Sequence, residues 1–589
     1  MNSIEKITLL RDHLRANAVD ALILTGTDPH LSEYPTPEWR DILWLSGFSG
    51  SYSRMVITMT KALLWTDSRY FIQAESQLGG SGILLMKDKL TDTISIENWL
   101  KNELNAGSRV AVDGLTISGS YRAKLESELR AKGISLIINL SLVSSIWKNR
   151  PTTSQLKIVD YPIRFSGQSR SDKLSQIRNK LLNHNADATI ISQLDDLAWS
   201  FNLRGSEIDY NPLFTGYGYV DNNQAILFVK EGRITSELTS ELSNDGIGVE
   251  SYDSLFSIVA KYCPATIYLD PERTNSIVYS FFSDKYAVIH GIAIPARLKS
   301  IKNRIEIAGI KAAHRRDGVA MVNFLHWFQC EKCEKTELSV AQKLKEFRAQ
   351  QRNYKSESFG SIVGFGPHGA IVHYSATTNT NAVIESNGIL LIDSGGQYLD
   401  GTTDITRTIG VGITSAKQKK DFTLVLKGMI NLSNIVFPVG TKGHSLDIIA
   451  RKHLWNNYLN YQHGTGHGIG HFLSVHEGPM SIRSESNEES ILEGQILSNE
   501  PGIYREGEYG IRIENVIVCK KAGSSSYGSF NSFETLTLCP IDKKMILAGL
   551  LSQEELLWIN NYHRTVLRRL KQYLKPNVLE WLTNACSPI

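Results

Sequence analysis

One stretch of this sequence occurs twice. Residues 10–24, LRDHLRANAVDALIL, return 167 positions later as residues 177–191, IRNKLLNHNADATII, with Arg, Leu, Asp and Ala in matching places. Each copy sets apolar residues at helical spacing and then runs into a continuous apolar stretch, the pattern of an amphipathic helix leading into a buried strand. A second match follows at an offset of 155, where Trp44, Gly50 and Ser51 in WLSGFSGS correspond to Trp199, Gly205 and Ser206 in WSFNLRGS. Two like helix-strand units can match by chance, but two matches in the same order predict a pair of related α/β domains. The repeat alone says nothing about function.

The repeat accounts for about half of the chain. At 589 residues the whole exceeds what one hydrophobic core organises, and three or four domains are expected. Trp147-Lys-Asn-Arg-Pro151 punctuates the chain, since proline restricts the residue before it. Near residue 300 a long helical pattern begins, with Ile305, Ile310, Ala313 and Val319 as candidate buried positions. The expected division is 1–150, 151–300 and 301–589. Beyond residue 300, long helical patterns alternate with Gly-bounded strands, which suggests α+β for the third part rather than a repeating βαβ design.

Composition narrows the function. Lys plus Arg number 63 against 60 Asp plus Glu, so no polyphosphate-binding surface is indicated and nucleic acid is not an expected partner. The first residues interleave charges with apolar side chains and lack a signal-peptide core. The most apolar segments fall far short of the roughly 20 residues that span a bilayer, so no membrane association is expected. Six cysteines in so long a chain are too sparse for a disulfide framework, which fits a reducing, cytoplasmic compartment. Cys330-Glu-Lys-Cys333 has neither a second pair nor a thioredoxin-like setting and reads as incidental.

The distinctive chemistry follows residue 300. In GILLIDSGGQYLDGTTDITRTIG an apolar run ends at Asp393, and Asp404 comes eleven residues later. Asp404, Thr406 and Thr408 share one face of a strand by its two-residue period. Either Asp alone reads as a strand end or a turn cap; together they can converge. YQHGTGHGIGHFLSVHEGP then gathers His463, His467, His471 and His476 from a chain of 15 histidines. The glycines between them argue for a loop or distorted strand, and the first His is not followed by the Glu of H-E-x-x-H. In QILSNEPGIYREGEYGIRIENVIV, Glu500 ends an apolar strand, and Arg512 and Glu514 share one face of an alternating strand. Four carboxylates brought within about 4 Å repel by roughly 4 kcal/mol per close pair at an effective dielectric of 20. Two divalent cations would offset that, and an oxygen-rich shell with one imidazole suits Mn, Co, Fe or Zn.

These motifs resemble the pita-bread metallopeptidases of family M24B, and within them the three-domain cytosolic aminopeptidase P branch, the X-Pro aminopeptidases. The likeness runs through HLSEY, RDILWLSGFSGS, LLWTDSRYFIQA, LDDLAWSFNLRGSEIDYNPLF, SFGSIVGFGPHGAIVHY, DSGGQYLDGTTDITRT, HGTGHGIG, VHEGP, NEPGIY and GIRIEN. It implies two creatinase-like α/β domains followed by a pita-bread catalytic domain. It also implies hydrolysis of the bond before a penultimate proline, by a hydroxide held between two metals. Carried over by position, Asp393, Asp404, His467, Glu500 and Glu514 are the metal ligands, with Asp404 and Glu514 bridging. His373, His463 and His476 bind substrate and handle protons, Arg512 orients Glu514, and Tyr504 lines the site. His373 is expected on a strand, alternating with Val372. Manganese is the first expectation, with cobalt or zinc as alternatives; the partners implied are X-Pro peptides and a second copy of the chain. Prolidase action on X-Pro dipeptides and a non-catalytic pita-bread binding module are the competing readings, the latter disfavoured because all five ligands are present. Two departures from the family pattern stand out: Ser68 in Asp67-Ser-Arg69, where glycine is common, and Asn499, where aspartate is common.

Overall fold

A computed structural model describes residues 1–88, 93–138, 141–152 and 154–589. The repeat is visible in its helices. Ser3–Ala16 and Arg170–Asn183 are both 14 residues long, and both open with a capping box, Asn2 with Glu5 and Ser169 with Asp172. Such boxes satisfy backbone N–H groups that the first turn leaves without partners. Each helix leads into the central region of a sheet of six described strands. The first sheet runs in the order Leu84–Lys87, Ala62–Thr66, Arg54–Thr58, Ala21–Thr25, Arg109–Val112, Ser135–Ile138. The second runs Ile247–Ser251, Ala225–Val229, Gly216–Asp221, Ala188–Ile191, Thr266–Leu269, Ala287–His290. Parallel and antiparallel pairings follow the same sequence across both sheets.

Burial on both faces explains the continuous apolar runs of these strands. In Ala21–Thr25, Leu22 and Leu24 join a core with Ile7, Leu10 and Leu14 of the preceding helix, while Ala21 and Ile23 join a separate core on the opposite face. Each fully buried Leu or Ile contributes about 1.5–3 kcal/mol.

The described chain divides into two compact units, one of Met1–Tyr161 with Gln168–Ala296 and the other of Pro162–Gly167 with Arg297–Ile589. Both of these sheets lie in the first unit. The second is built from antiparallel sheets and long helices, the α+β design expected of it. Its first long helix, Arg304–Cys330, buries Ile310, Ala313 and Val319. Ile305 is half exposed instead, because it stands in the first turn, where Asn303 caps the helix. Helix Gln553–Leu570 places Ile559, Val566 and Leu570 in a core with Phe422, Val425 and Met429 of helix Ala416–Ser433. Cys330 and Cys333 are exposed thiols. No helix among the described residues is long and apolar enough to cross a membrane.

Candidate metal centre

The centre lies within the second unit and draws on four segments. Strand Gly388–Ser394 carries Asp393 and pairs along its length with Ile405–Val411, the strand that Asp404 immediately precedes. His467 stands on the short strand Gly466–Gly468, whose pairing shifts register at that residue, a distorted strand as the glycines suggest. The glycines are required by close packing: a Cβ on Gly466 would lie 2.1 Å from the Ser498 carbonyl oxygen, and one on Gly468 would lie 2.4 Å from that of Glu477. Glu500 directly follows strand Ile496–Asn499 and donates its N–H to the Thr465 carbonyl at 2.8 Å. Glu514 sits in a two-residue break between strands Tyr509–Arg512 and Asn515–Ser525, not inside one alternating strand. The break lets its N–H pair with the Thr406 carbonyl at 3.1 Å.

Asp404, His467 and Glu514 each present a ligand atom within 4.8 Å of the others. His467 Nε2 lies 3.5 Å from Asp404 Oδ2 and 3.5 Å from Glu500 Oε1. His467 Nδ1 faces the Gly468 carbonyl at 2.8 Å, so Nδ1 carries a proton and Nε2 is the nitrogen turned toward the carboxylates. Burial holds Asp404 well above the usual carboxylate range, reinforced by the negative charges of Glu514, Asp393 and Glu500. Glu514 is held high in the same way, by burial and then by Glu500 and Asp393. Burial pushes Glu500 up to about 7.

Arg512 supplies one positive charge. Its Nη2 donates to Asp393 Oδ2 at 2.5 Å, its Nη1 to the Tyr504 hydroxyl at 2.6 Å and its Nε to Thr406 Oγ1 at 3.2 Å. The direct partner of Arg512 is therefore Asp393; its link to Glu514 passes through Thr406, whose hydroxyl donates to Glu514 Oε2 at 2.8 Å. Two buried oxygens, Asp393 Oδ1 and Glu514 Oε1, have no hydrogen-bond partner among the described residues. A buried carboxylate oxygen without a donor is costly, and a cation satisfies it. Unpartnered oxygens, clustered acids and one lone-pair imidazole nitrogen fit a divalent metal site.

The expected histidines flank this group. His463 Nδ1 faces the Gly464 carbonyl, and its Nε2 accepts the Tyr504 hydroxyl at 2.8 Å. A relay of hydrogen bonds thus runs from Asp393 through Arg512 and Tyr504 to His463. Burial pushes the Tyr504 phenol up to about 12, which keeps it a donor. His476 meets the His467 ring edge to face, with centroids 4.4 Å apart. His373 is not on a strand: Gly366–Ala370 forms a 3-10 helix, and residues 371–374 turn back on themselves with Tyr374 N–H bonded to the Ile371 carbonyl. That turn lies beside the centre, since Arg512 Nη2 also reaches the Val372 carbonyl at 3.4 Å.

Sequence reasoning missed the hydroxyls. Thr406 holds Glu514, and Ser498 Oγ donates to Glu500 Oε1 while accepting the His467 N–H. The shared face of Asp404 and Thr406 was a usable signal; Ser498 gave none. Of the two departures, Asn499 is buried and donates to the Met429 carbonyl and Ser433 Oγ, both at 2.9 Å, which an ionised aspartate could not do. Ser68 is not among the described residues with positive φ, so its turn does not need glycine.

A model of metallopeptidase family M24 matches residues 308–521 and one of its C-terminal region matches 529–589, while creatinase/prolidase N-terminal domain models match 6–141 and 149–306. A probable Xaa-Pro aminopeptidase P of Aspergillus clavatus is 36% identical over all of this chain and 93% of its own length. The chain belongs to the Xaa-Pro aminopeptidase P family of M24 metallopeptidases. Other members and folds agree with it. A probable Xaa-Pro aminopeptidase P of Aspergillus niger is 36% identical over 99% of this chain and 98% of its own length. The crystal structure of X-prolyl aminopeptidase from Caenorhabditis elegans, described as a cytosolic enzyme with a di-nuclear active site, covers 100% of both chains at TM-score 0.97 and 34% identity. A Xaa-Pro dipeptidase of Bacillus anthracis covers 64% of this chain at 23% identity and TM-score 0.52, a likeness of fold alone. This chain thus carries two creatinase-type domains ahead of its M24 domain.

Proposed function

We propose that this chain is an X-Pro aminopeptidase, a metallo-exopeptidase that removes an N-terminal residue preceding proline at a dinuclear metal site. The observation that carries the reading is the buried, cation-poor cluster of Asp404, His467 and Glu514, set in a chain that matches an X-prolyl aminopeptidase from end to end.

In this reading Asp393, Asp404, His467, Glu500 and Glu514 would hold two divalent ions, with Asp404 and Glu514 the residues that would serve both. Manganese is the first candidate and cobalt or zinc the alternatives, since all accept carboxylate and imidazole donors. Bound there, two divalent ions supply positive charge and Lewis acidity to the scissile carbonyl. The side chains of this protein organise the rest. Thr406 and Arg512 fix the carboxylates of Glu514 and Asp393 so that neither needs to rearrange during reaction. Tyr504 fixes the His463 tautomer and points its donor at Nε2. His373, on its turn, delivers a proton or a hydrogen bond to the reacting amide, and His476 braces the His467 ring. A proline nitrogen carries no hydrogen, so the pocket beyond the scissile bond must accept a ring and cannot depend on an N–H contact.

Metal-reconstituted protein should cleave an X-Pro-Y tripeptide, with much less action on an X-Pro dipeptide or an X-Ala-Y control. Preference for the dipeptide would indicate prolidase activity. Domain boundaries near residues 150 and 300 accord with where the family models begin and end. A homodimer and a cytoplasmic location complete the reading, supported by family membership and sparse cysteine; light scattering that finds only monomer at micromolar concentration would remove the dimer.

A further inference from the structure

The loop bearing the two central histidines contains Gly464, Gly466 and Gly468. Close packing requires two of them, yet glycine leaves the backbone without stiffness of its own. Something else must hold His463 and His467 in place. We infer that a buried ion pair behind the centre, Asp447 with Arg451, is the positioning device for its histidine side. This rests on the roles proposed above for His463, His467 and Glu500.

Asp447 and Arg451 are four residues apart on helix Gly443–Trp455 and face each other with Nε to Oδ2 at 2.5 Å, both side chains no more than 2% exposed. What remains of their bonding capacity is directed at the loop. Arg451 Nη2 donates to the His463 carbonyl at 2.8 Å, its Nη1 donates to the Tyr461 carbonyl, and its guanidinium lies 3.8 Å from the centre of the Tyr461 ring. Asp447 Oδ1 accepts the Thr465 hydroxyl at 2.5 Å. Because the Thr465 hydrogen is committed to a carboxylate, the hydroxyl contact between Tyr461 and Thr465 must have Tyr461 as its donor. Burial pushes the Tyr461 phenol up, which keeps it protonated for that task.

The pair therefore pins residues 461, 463 and 465, leaving only Gln462 and Gly464 between the fixed points. Its reach extends further, since the Thr465 carbonyl accepts the Glu500 N–H. Neither charged residue touches the ligand atoms; Arg451 acts through the carbonyls of residues 461 and 463, and Asp447 through the Thr465 hydroxyl. Displacement of residue 465 should move His467 and Glu500 together while leaving Asp393 where Arg512 holds it.

Thr465→Val tests this, because it keeps the volume and removes the hydroxyl, whereas loss of Arg451 risks the fold. Metal-free protein is titrated with Co2+, its melting temperature is measured, and kcat and KM are determined on X-Pro-Y. Thr465→Val should melt within a few degrees of wild type and weaken one of two Co2+ equivalents by about tenfold or more, as loss of outer support does. It should lower kcat by a similar factor with KM nearly unchanged, and Thr465→Ser should restore both values to within about threefold. Wild-type affinity for both equivalents in Thr465→Val would overturn the inference. So would equal weakening of both accompanied by a large loss of melting temperature, which marks a general structural brace, or failure of Thr465→Ser to restore. If wild-type protein binds two Co2+ but does not cleave X-Pro-Y, the functional reading fails while the Co2+ titration still decides the positioning role.

Discussion

The second unit holds two buried acidic clusters that differ in how their charge is met. In one, Asp317 and Glu357 surround Arg348, which is fully buried and donates to Asp317 Oδ1 and Glu357 Oε2, both at 2.8 Å, and to Ser394 Oγ at 3.0 Å. Tyr398 and Tyr354 donate to the same two carboxylates, and every oxygen has a partner. In the other, four carboxylates share the single guanidinium of Arg512, and Asp393 Oδ1 and Glu514 Oε1 are left without a donor. The first cluster is complete without any ligand. The second is stable only as part of something larger, and unmet acceptor capacity is what separates a binding site from a brace.

That contrast can be broken most severely at the bridge. Asp404→Asn or Glu514→Gln should cut turnover by about 10³-fold or more, the equivalent of several kcal/mol of lost charge stabilisation, and lower bound metal with it. Because each change removes one of several repelling charges, the metal-free variant should melt no lower than metal-free wild type. Two tightly held ions with near-normal turnover would take that residue out of the bridge. Arg348→Met should do the reverse, since it strands two buried carboxylates: a loss of about 3–5 kcal/mol of stability, read by denaturation with or without metal. A variant as stable as wild type would erase the distinction between the clusters. His373→Ala should keep both metals and its melting temperature while kcat falls by about 100-fold or more, the low end for a positioned acid-base group. Metal loss in that variant would place His373 inside the cluster rather than beside it.

The smallest effect concerns a buried group in neither cluster. His563 accepts the Ile541 N–H through Nε2, and burial lowers its pKa to about 3. The unfolded chain takes up this proton near pH 6.5 and the folded chain does not, so stability is unaffected above pH 6.5. It falls by up to about 1.4 kcal/mol for each unit below that value, down to about pH 3. His563→Gln, which retains an acceptor, should show a shallower loss of denaturation midpoint between pH 7 and 5.5; an unchanged slope would assign that loss to other groups.

The acids and histidines of the cluster stood out by local pattern, as a strand end, a histidine run and an acid before Pro501, and the family resemblance singled out five of them as proposed ligands. The repeat was legible because the same periodicities occur twice. What escaped depends on partners distant in sequence. Arg348 gathers Asp317, Glu357 and Ser394 from separate elements, and no spacing announces that. Arg512 turned out to serve Asp393, 119 positions away, because the break before Asn515 sets Glu514 on a different path. His373 was misplaced on a strand because Ile371, Val372 and His373 alternate acceptably over three residues. Gly366 and Pro367 had already set a tight turn upstream.

The assignment of Pro162–Gly167 to the second unit bears on how the protein is made. The Asn303 amide that caps the first long helix donates to the Ser166 carbonyl at 2.8 Å. A ribosome finishes those six residues well before it reaches residue 303, so their partner on the long helix does not yet exist. For the same reason, a fragment beginning at Arg297 would contain every proposed metal ligand yet lack the Ser166 carbonyl that the Asn303 amide holds.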